Sequence, residues 1–556
     1  MATMFLAVLL SLAGDPLSGA APMWSGEEEA ILEDDWRKQD GIGTERAAVG
    51  YLEAIELTLD RGDLLLRDLA AAGVRLATAT ARWQGLREEW RALAGSGNPG
   101  DAAWPELWRR VHRLRREIVF ANPRADFGPL LFVKQAPGIF SHQLTQYYGS
   151  CARPGGGLFV LDQPGRSLRA RELVVGVLPA GSYQHPEVAY DGKRILFAYC
   201  EADSIPTDRE SHLDRFYHLY EVNADGTGLR QLTGGAHDDC APRYLPNGEL
   251  LFVSTRRGGF HRCGRGPCPT YTLAKANADG SNPRPISFHE THEWDPVVLG
   301  DGRILYTRWD YVDRHAVFYQ QLWTTRPDGT AAAAYYGNNT FNPVGVWEAQ
   351  PVPGSTRVMA TAGAHHAMTA GSIVLVDVNV GRDGLAPLTR LTPDALFPES
   401  EVPVANRTQP AAWSARLDGE PVPWPIETQR WPGHCYRSPH PLSETYFLAA
   451  YSFEPLIGEP DPNPAAMFGI YLVDRFGNKE LLHRDPEISS LWPVPLRARV
   501  RPVELASTVE PEVAGDGVYV LQDVYQSWPS LPAGAVKRLR VRSEEHTSEL
   551  QSPNTI

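Results

Sequence analysis

Cysteine is scarce in this sequence: six residues in 556, none arranged as C-x-x-C. That excludes a scaffold built on disulfides and leaves this chain without a covalent c-type haem site. Cys263 and Cys268 bracket the turn sequence GRGP, which brings them close enough for a disulfide in an oxidising compartment. The alternative is two unpaired or metal-binding thiols. Basic charge is also short. Lys and Arg total 53 against 67 Asp and Glu, a net charge of -14, which argues against nucleic acid as a partner. No segment after the first 21 residues is apolar for long enough to span a membrane. No G-x-S-x-G elbow, P-loop or dinucleotide-binding fingerprint is present. HETHEWDP (289–296) is not H-E-x-x-H, and its Asp-Pro reads as loop rather than helix. A hydrolase triad, which forms only in space, is left open.

What is present begins with a leader. Residues 4–13 are apolar but too short to cross a bilayer, and small residues follow at 18–21. Residues 1–21 are therefore expected to be a signal peptide, although a basic n-region is missing, and the protein is expected to be periplasmic or extracellular. Residues 25–120 carry a helical period. Leu107, Val111, Leu114 and Ile118 share one face, with Arg109, Arg110, Arg113 and Arg115 largely off it. Packing or partner docking is the expected role of this small α-helical N-terminal region. At the other end, RSEEHTSELQS (542–552) reads as the translation of a sequencing adapter. Residues 542–556 are expected to be that artefact or a disordered tail, and 506–541 the start of a C-terminal region that continues past Val541.

From Pro129 the period changes to short strands. Three segments set a glycine turn before an apolar strand: YDGKRILFAY (190–199), PNGELLFVS (246–254) and GDGRILYTRW (300–309). A second hairpin alternates with them, as in LYEVNADGTGLRQLT and LWTTRPDGTAAAAYY. Four short strands every 45–60 residues or so, roughly, mark the blades of a β-propeller. The expected fold is all-β: a six-bladed β-propeller over 125–505, with seven blades as the fallback. Inner strands start near His185, His237, His292, Glu348 and Cys435. A sixth, at 491–496, is expected to pair with strands from the other end of the chain (130–134, 157–162 and 168–175), so that no free edge remains.

Within a blade, the first-to-second and third-to-fourth turns share one face and the remaining connections share the other. The first set is short, as in DG, NG and PDG, while the second set (135–156, 201–215, 256–269, 310–319, 453–467) is long and varied. The long-loop face is therefore the expected working face. Residues just ahead of the inner strands (SYQH, HDDC, HETHEWD, VWE, WPGHC) are expected to ring the channel mouth. Imidazole, carboxylate and thiolate are the usual ligands of transition metals. The candidates for a metal or cofactor are Cys151, His185, His237, Asp239, His292, Glu293, Asp295, Glu348, His365, His366, His434 and Cys435. The alternative is that these groups hydrogen-bond neighbouring loops and pin blade to blade. Asp238 and Asp239 diverge in extended backbone, so a shared acid/base role is not expected of them. No catalytic residue can be named.

The repeat resembles that of TolB-like propellers. Three stretches are more specific: YYGSCARPGGGLFVLD (147–162), GHCYRSPHPLSETYFLAAYS (433–452) and FGIYLVDRFGNKELLHRDPEISSLWPVPLRARVRP (468–502). Over 122–541 they resemble proteins related to the hydrazine synthase alpha subunit. The resemblance implies a C-terminal domain with C-x-x-C-H haem sites, which this chain lacks. It implies an exported scaffold of a haem-associated redox protein, an oxidoreductase only through that further domain, with a redox or other protein partner. Cys151 is then a metal or redox ligand, or a buried structural thiol. The competing expectations are a non-catalytic TolB-like propeller that binds a protein or peptide, and a propeller hydrolase or lyase acting at the channel mouth.

Overall fold

A computed structural model describes residues 24–538 except 45–49, 97–101, 140–141, 209–211, 261–267, 312–316, 364–367, 396, 398–433, 455, 458–461, 510–522 and 526–529. The expected signal peptide, Cys263, His365, His366 and residues 542–556 lie outside the described residues. The described chain is mostly β. Four α-helices, α1 (Gly26–Asp40), α2 (Tyr51–Ala71), α3 (Ala77–Ser96) and α4 (Ala103–Phe120), precede 24 strands.

The strands fall into sets of four. Three sets are separate antiparallel sheets, and three more are joined at single residue pairs, Gln320–Gly345 and Gly371–Tyr436. Six inner strands, Gly181–Val188, Asp239–Tyr244, Glu293–Val298, Gly345–Pro351, Cys435–Pro441 and Ser489–Pro495, pack side by side in that order, and the last packs against the first. This is the layout of a β-propeller. The set that joins the ends pairs Ser489–Pro495 with Leu130–Gln135, then Gly157–Leu161, then Arg171–Glu172. Its outer strand is two residues long, shorter than the expected 168–175. Two-residue outer strands recur at Arg230–Gln231 and Arg284–Pro285, and so short an edge offers little for another chain to pair with.

Each inner strand is broken at its middle by a bulge. The pairing shifts there, and one residue takes a left-handed conformation with φ of 47–52°: His185, Ala241, Asp295, Glu348, Ser438 and Trp492. Proline follows in every case but Glu348. A bulge is where proline's missing N–H costs no ladder bond. The bulge residues of successive strands are thereby brought to one level of the channel. Asp295-Pro296, read from sequence as loop, lies inside a strand, because a bulge accommodates both residues without ending the pairing.

The helices dock on the outside of the 435–483 set. The apolar stripe of α4 is buried as expected, but so are Arg115 and Arg116. Arg115 Nε lies 2.8 Å from Glu480 Oε1 and Arg116 Nη1 lies 3.2 Å from Glu480 Oε2, on the outer strand Lys479–His483. A second face of the helix is therefore covered by the propeller. A buried charge is tolerable when it is paired and hydrogen-bonded, as these are.

Candidate functional site

The bulges divide the channel in two. Ahead of the first bulge, Gln184 pairs with Ala198 toward the long loop that follows Glu201, while beyond it Glu187 pairs with Leu196 toward the Asp191–Gly192 turn. One half thus faces the long loops and the other the short turns.

The long-loop half is filled by the chain itself. Residues 143–151 lie across it as two 3-10 turns, Gln143–Gln146 and Gly149–Cys151, and their side chains are mostly buried. The Tyr147 hydroxyl donates to Asp295 Oδ1 at 2.7 Å. Asp238 accepts the backbone N–H groups of Gly149 (3.1 Å) and Tyr217 (2.8 Å), and the Tyr271 hydroxyl lies 2.6 Å from its other oxygen. Burial pushes the Asp238 carboxyl up to about 7. Gln184 donates to the Gln146 carbonyl, and Cys240 Sγ lies 3.6 Å from the Tyr147 carbonyl.

On the short-turn side, His185, Asp295, Glu348, Ser438 and Trp492 floor a cavity of about 60 Å³ walled by Glu187, Arg243, Gln350, His440 and Arg499. Arg499 comes from an extended stretch after the last strand, which runs along the short turns. Its N–H donates to the Tyr190 carbonyl at 2.9 Å, and that of Thr508 reaches Asp328 at 2.6 Å. Glu348 gathers donors from two neighbouring inner strands: Arg437 Nη2, Ser438 Oγ and Trp492 Nε1, each at 3.0 Å, and Ser438 N. Asp295 accepts from Tyr147 and from Glu348 N at 3.2 Å. Burial and then the Glu348 charge push the Asp295 carboxyl up to about 6.

His185 Nε2 lies 3.6 Å from Asp295 Oδ1, with the ring 5.6 Å from that of Tyr147 and 4.4 Å from that of Trp492. Burial, then Arg243 and Arg437, hold its pKa well below the usual histidine range, so it is neutral at pH 7. The floor thus sets a neutral imidazole beside a carboxyl that titrates near neutrality. Ser438, its one hydroxyl, is already donated to Glu348.

Of the sequence candidates, His185, Asp295 and Glu348 converge, and they do so within the strands rather than ahead of them. The other described candidates are dispersed. Asp239 accepts from Ser254 Oγ (2.6 Å) and Arg256 Nη2 (2.7 Å). Glu293 accepts from Leu273 N (3.1 Å), and His292 Nδ1 accepts from Tyr271 N (3.2 Å) while its ring stacks on Trp294. His434 meets the Tyr451 hydroxyl, His237 is half-buried before Asp238, Cys435 is buried at a strand start, and Cys151 is buried in the crossing segment. Among the described residues no group of three or more His, Cys, Asp or Glu side chains is placed to hold a metal ion.

No family model matches this chain, nor does any curated protein. Solved structures do. Hydrazine synthase of Kuenenia stuttgartiensis is 16% identical over 68% of this chain and 48% of its own, with a TM-score of 0.49. TolB of Acinetobacter baumannii is 11% identical over 70% and 72%, with a TM-score of 0.39. A chain of a nidogen–laminin complex is 10% identical over 66% and 97%, with a TM-score of 0.35. This chain therefore spans about half the length of the hydrazine synthase chain.

Sequence reasoning missed Tyr147, Arg243, Arg437, Ser438 and Trp492. A signal for the last four exists: YQHPEV, DCAPRY, EWDPVV, YRSPHP and SLWPVP repeat an X-Pro pair at the same place in five inner strands. A second concavity, of about 520 Å³, lies at the long-loop side of the first set, lined by Tyr199, Glu201, Asp203, His212, Asp214, Arg215 and Tyr220.

Proposed function

We propose that the chain is an exported six-bladed TolB-like propeller that scaffolds a haem-associated redox protein resembling the hydrazine synthase alpha subunit, with a protein or redox partner engaging the long-loop face. One observation carries this reading. The three stretches that bear the resemblance meet at the channel: Tyr147 of the first donates to Asp295, while Arg437 and Ser438 of the second and Trp492 of the third donate to Glu348. Segments so far apart in sequence share one buried polar network, and such networks specify a single arrangement. The motifs act here as parts of a frame. No C-x-x-C-H is present, so these residues do not fit a covalent haem and no step is assigned to one. Asp239, His292 and Glu293 hydrogen-bond to neighbouring strands and loops.

Expression of the full-length gene, in a host that secretes and matures c-type cytochromes, tests the proposal. A secreted product with a Soret band that survives denaturation supports it. A full-length product that lacks C-x-x-C-H and bound haem removes it.

A non-catalytic propeller that binds a protein or peptide is the second reading, and the 520 Å³ groove favours it. Carboxylates of Glu201 and Asp214 beside the rings of Tyr199 and Tyr220 suit a basic, extended segment, while Asp203 is already paired with Arg215. Loss of partner binding on Tyr220→Ala, with the fold intact, is the expected result. Unchanged binding removes this reading.

A further inference from the structure

We propose that the short-turn mouth of the channel binds a carboxylate group, with Arg243 as its counter-ion. Arg243 is 7% exposed, and its Nη1 donates to the Pro242 carbonyl at 2.8 Å. Its Nε has no hydrogen-bond partner. Among the described residues, Glu187 is the one carboxylate paired with it, at 3.9 Å from Nε, which is too far for a hydrogen bond. Glu187 is engaged elsewhere, by Arg499, which also donates to the Val188 carbonyl at 3.2 Å.

The deeper carboxylates are no substitute. Glu348 is taken by Arg437, Ser438 and Trp492, and Asp295 by Tyr147 and the Glu348 N–H. A guanidinium taken out of water without a hydrogen-bonded counter-ion is costly, and a guest anion relieves that cost. The Nε side of a guanidinium offers two parallel donors that match the two oxygens of a carboxylate. The cavity of about 60 Å³ is several times the roughly 10–15 Å³ that one water requires, which leaves room for such a head group. His185, 3% exposed, also lines it, and its Nδ1 is unpartnered and can present a proton to the same guest. Arg243 and Arg499 share the lining with Glu187, Asp295 and Glu348, and burial, then Arg499, Arg497 and Arg243, hold the His440 pKa down to about 3. The carboxylate has two chemical sources, a free small acid or the C-terminus of a peptide.

Titration of the purified chain with sodium acetate, and with tetra-alanine bearing a free or an amidated C-terminus, tests this. Readouts are the thermal midpoint and the Arg243 Nε–Hε resonance of arginine-labelled protein. Acetate or the free-acid peptide should raise the midpoint and move that resonance, whereas sodium chloride at equal ionic strength should not. Arg243→Gln should weaken binding by about tenfold or more, and Arg243→Lys, which keeps the charge without the fork, by less. Free-acid peptide binding more tightly than acetate, with the amide inert, identifies a peptide C-terminus. Equal affinity for acetate identifies a small acid. The proposal is overturned if no carboxylate probe moves the wild-type resonance, or if Arg243→Gln binds the probes as wild type does. Should that variant fail to fold by circular dichroism, the wild-type resonance decides alone.

Discussion

The two halves of the channel are built from the same six strands and differ in how much open space their side chains leave. The long-loop side is filled by residues 143–151: Asp238 accepts two N–H groups and faces the Tyr271 hydroxyl, and Asp295 takes the Tyr147 hydroxyl, while Gln143 Oε1, Gln146 Nε2 and Gln184 Oε1 have no hydrogen-bond partner. On the short-turn side Arg243 Nε and His185 Nδ1 are unmatched around an open volume. A filled half holds the structure together, and a half with open volume has room for a ligand.

This contrast can be broken in graded ways. Glu348 lies where the halves meet, and Glu348→Ala strands a buried guanidinium together with the Ser438 N–H, Ser438 Oγ and Trp492 Nε1 donors. It should cost about 3–5 kcal/mol in chemical denaturation, with Glu348→Gln costing less. A loss below about 1 kcal/mol would show that the network is not the keystone described here.

Asp238 should give the next largest effect, through pH. Its carboxyl is raised to about 7 in the folded state against about 3.8 as a model group. The native state therefore holds this proton more tightly than the unfolded chain does. The contribution is fully present below about pH 4 and is lost as pH rises toward 7. Asp238→Asn should remove that decline, by a few kcal/mol over the window. A variant whose stability follows the wild-type pH curve would refute the assignment. Tyr147→Phe deletes one buried donor to Asp295 and should cost about 1–2 kcal/mol. Arg243→Gln should be the mildest, within about 1 kcal/mol and of either sign, since it removes a buried charge that lacks a hydrogen-bonded partner. If it destabilises as much as Glu348→Ala, the two halves are not different in kind.

Much of this frame was legible because it is periodic. The glycine turns, with Gly192, Gly248 and Gly302 at φ of 76–91°, and the apolar runs after them located the second strands. The need to cover a free edge located the pairing of Leu130–Gln135 with Ser489–Pro495. Single-residue events were not periodic and were missed. A bulge at Asp295 or Trp492 changes one φ and re-aims one side chain, which no hydropathy pattern records, although the recurring X-Pro pair does. Burial of Arg115 and Arg116 depended on Glu480, more than 360 residues away. The segment 143–151 has the composition of an exposed loop, and its burial follows from partners spread over several sets.

Ring closure by strands from opposite ends also sets an order of events during synthesis. Leu130–Gln135 leaves the ribosome early but gains its inner neighbour only when Ser489–Pro495 has emerged. Helix α4 waits almost as long for Glu480. Until then the nascent chain carries one open strand edge and two unpaired arginines on a helix. Closing so long a loop is entropically late and slow, and a pause before the last set would leave those surfaces to whatever holds the chain in the meantime.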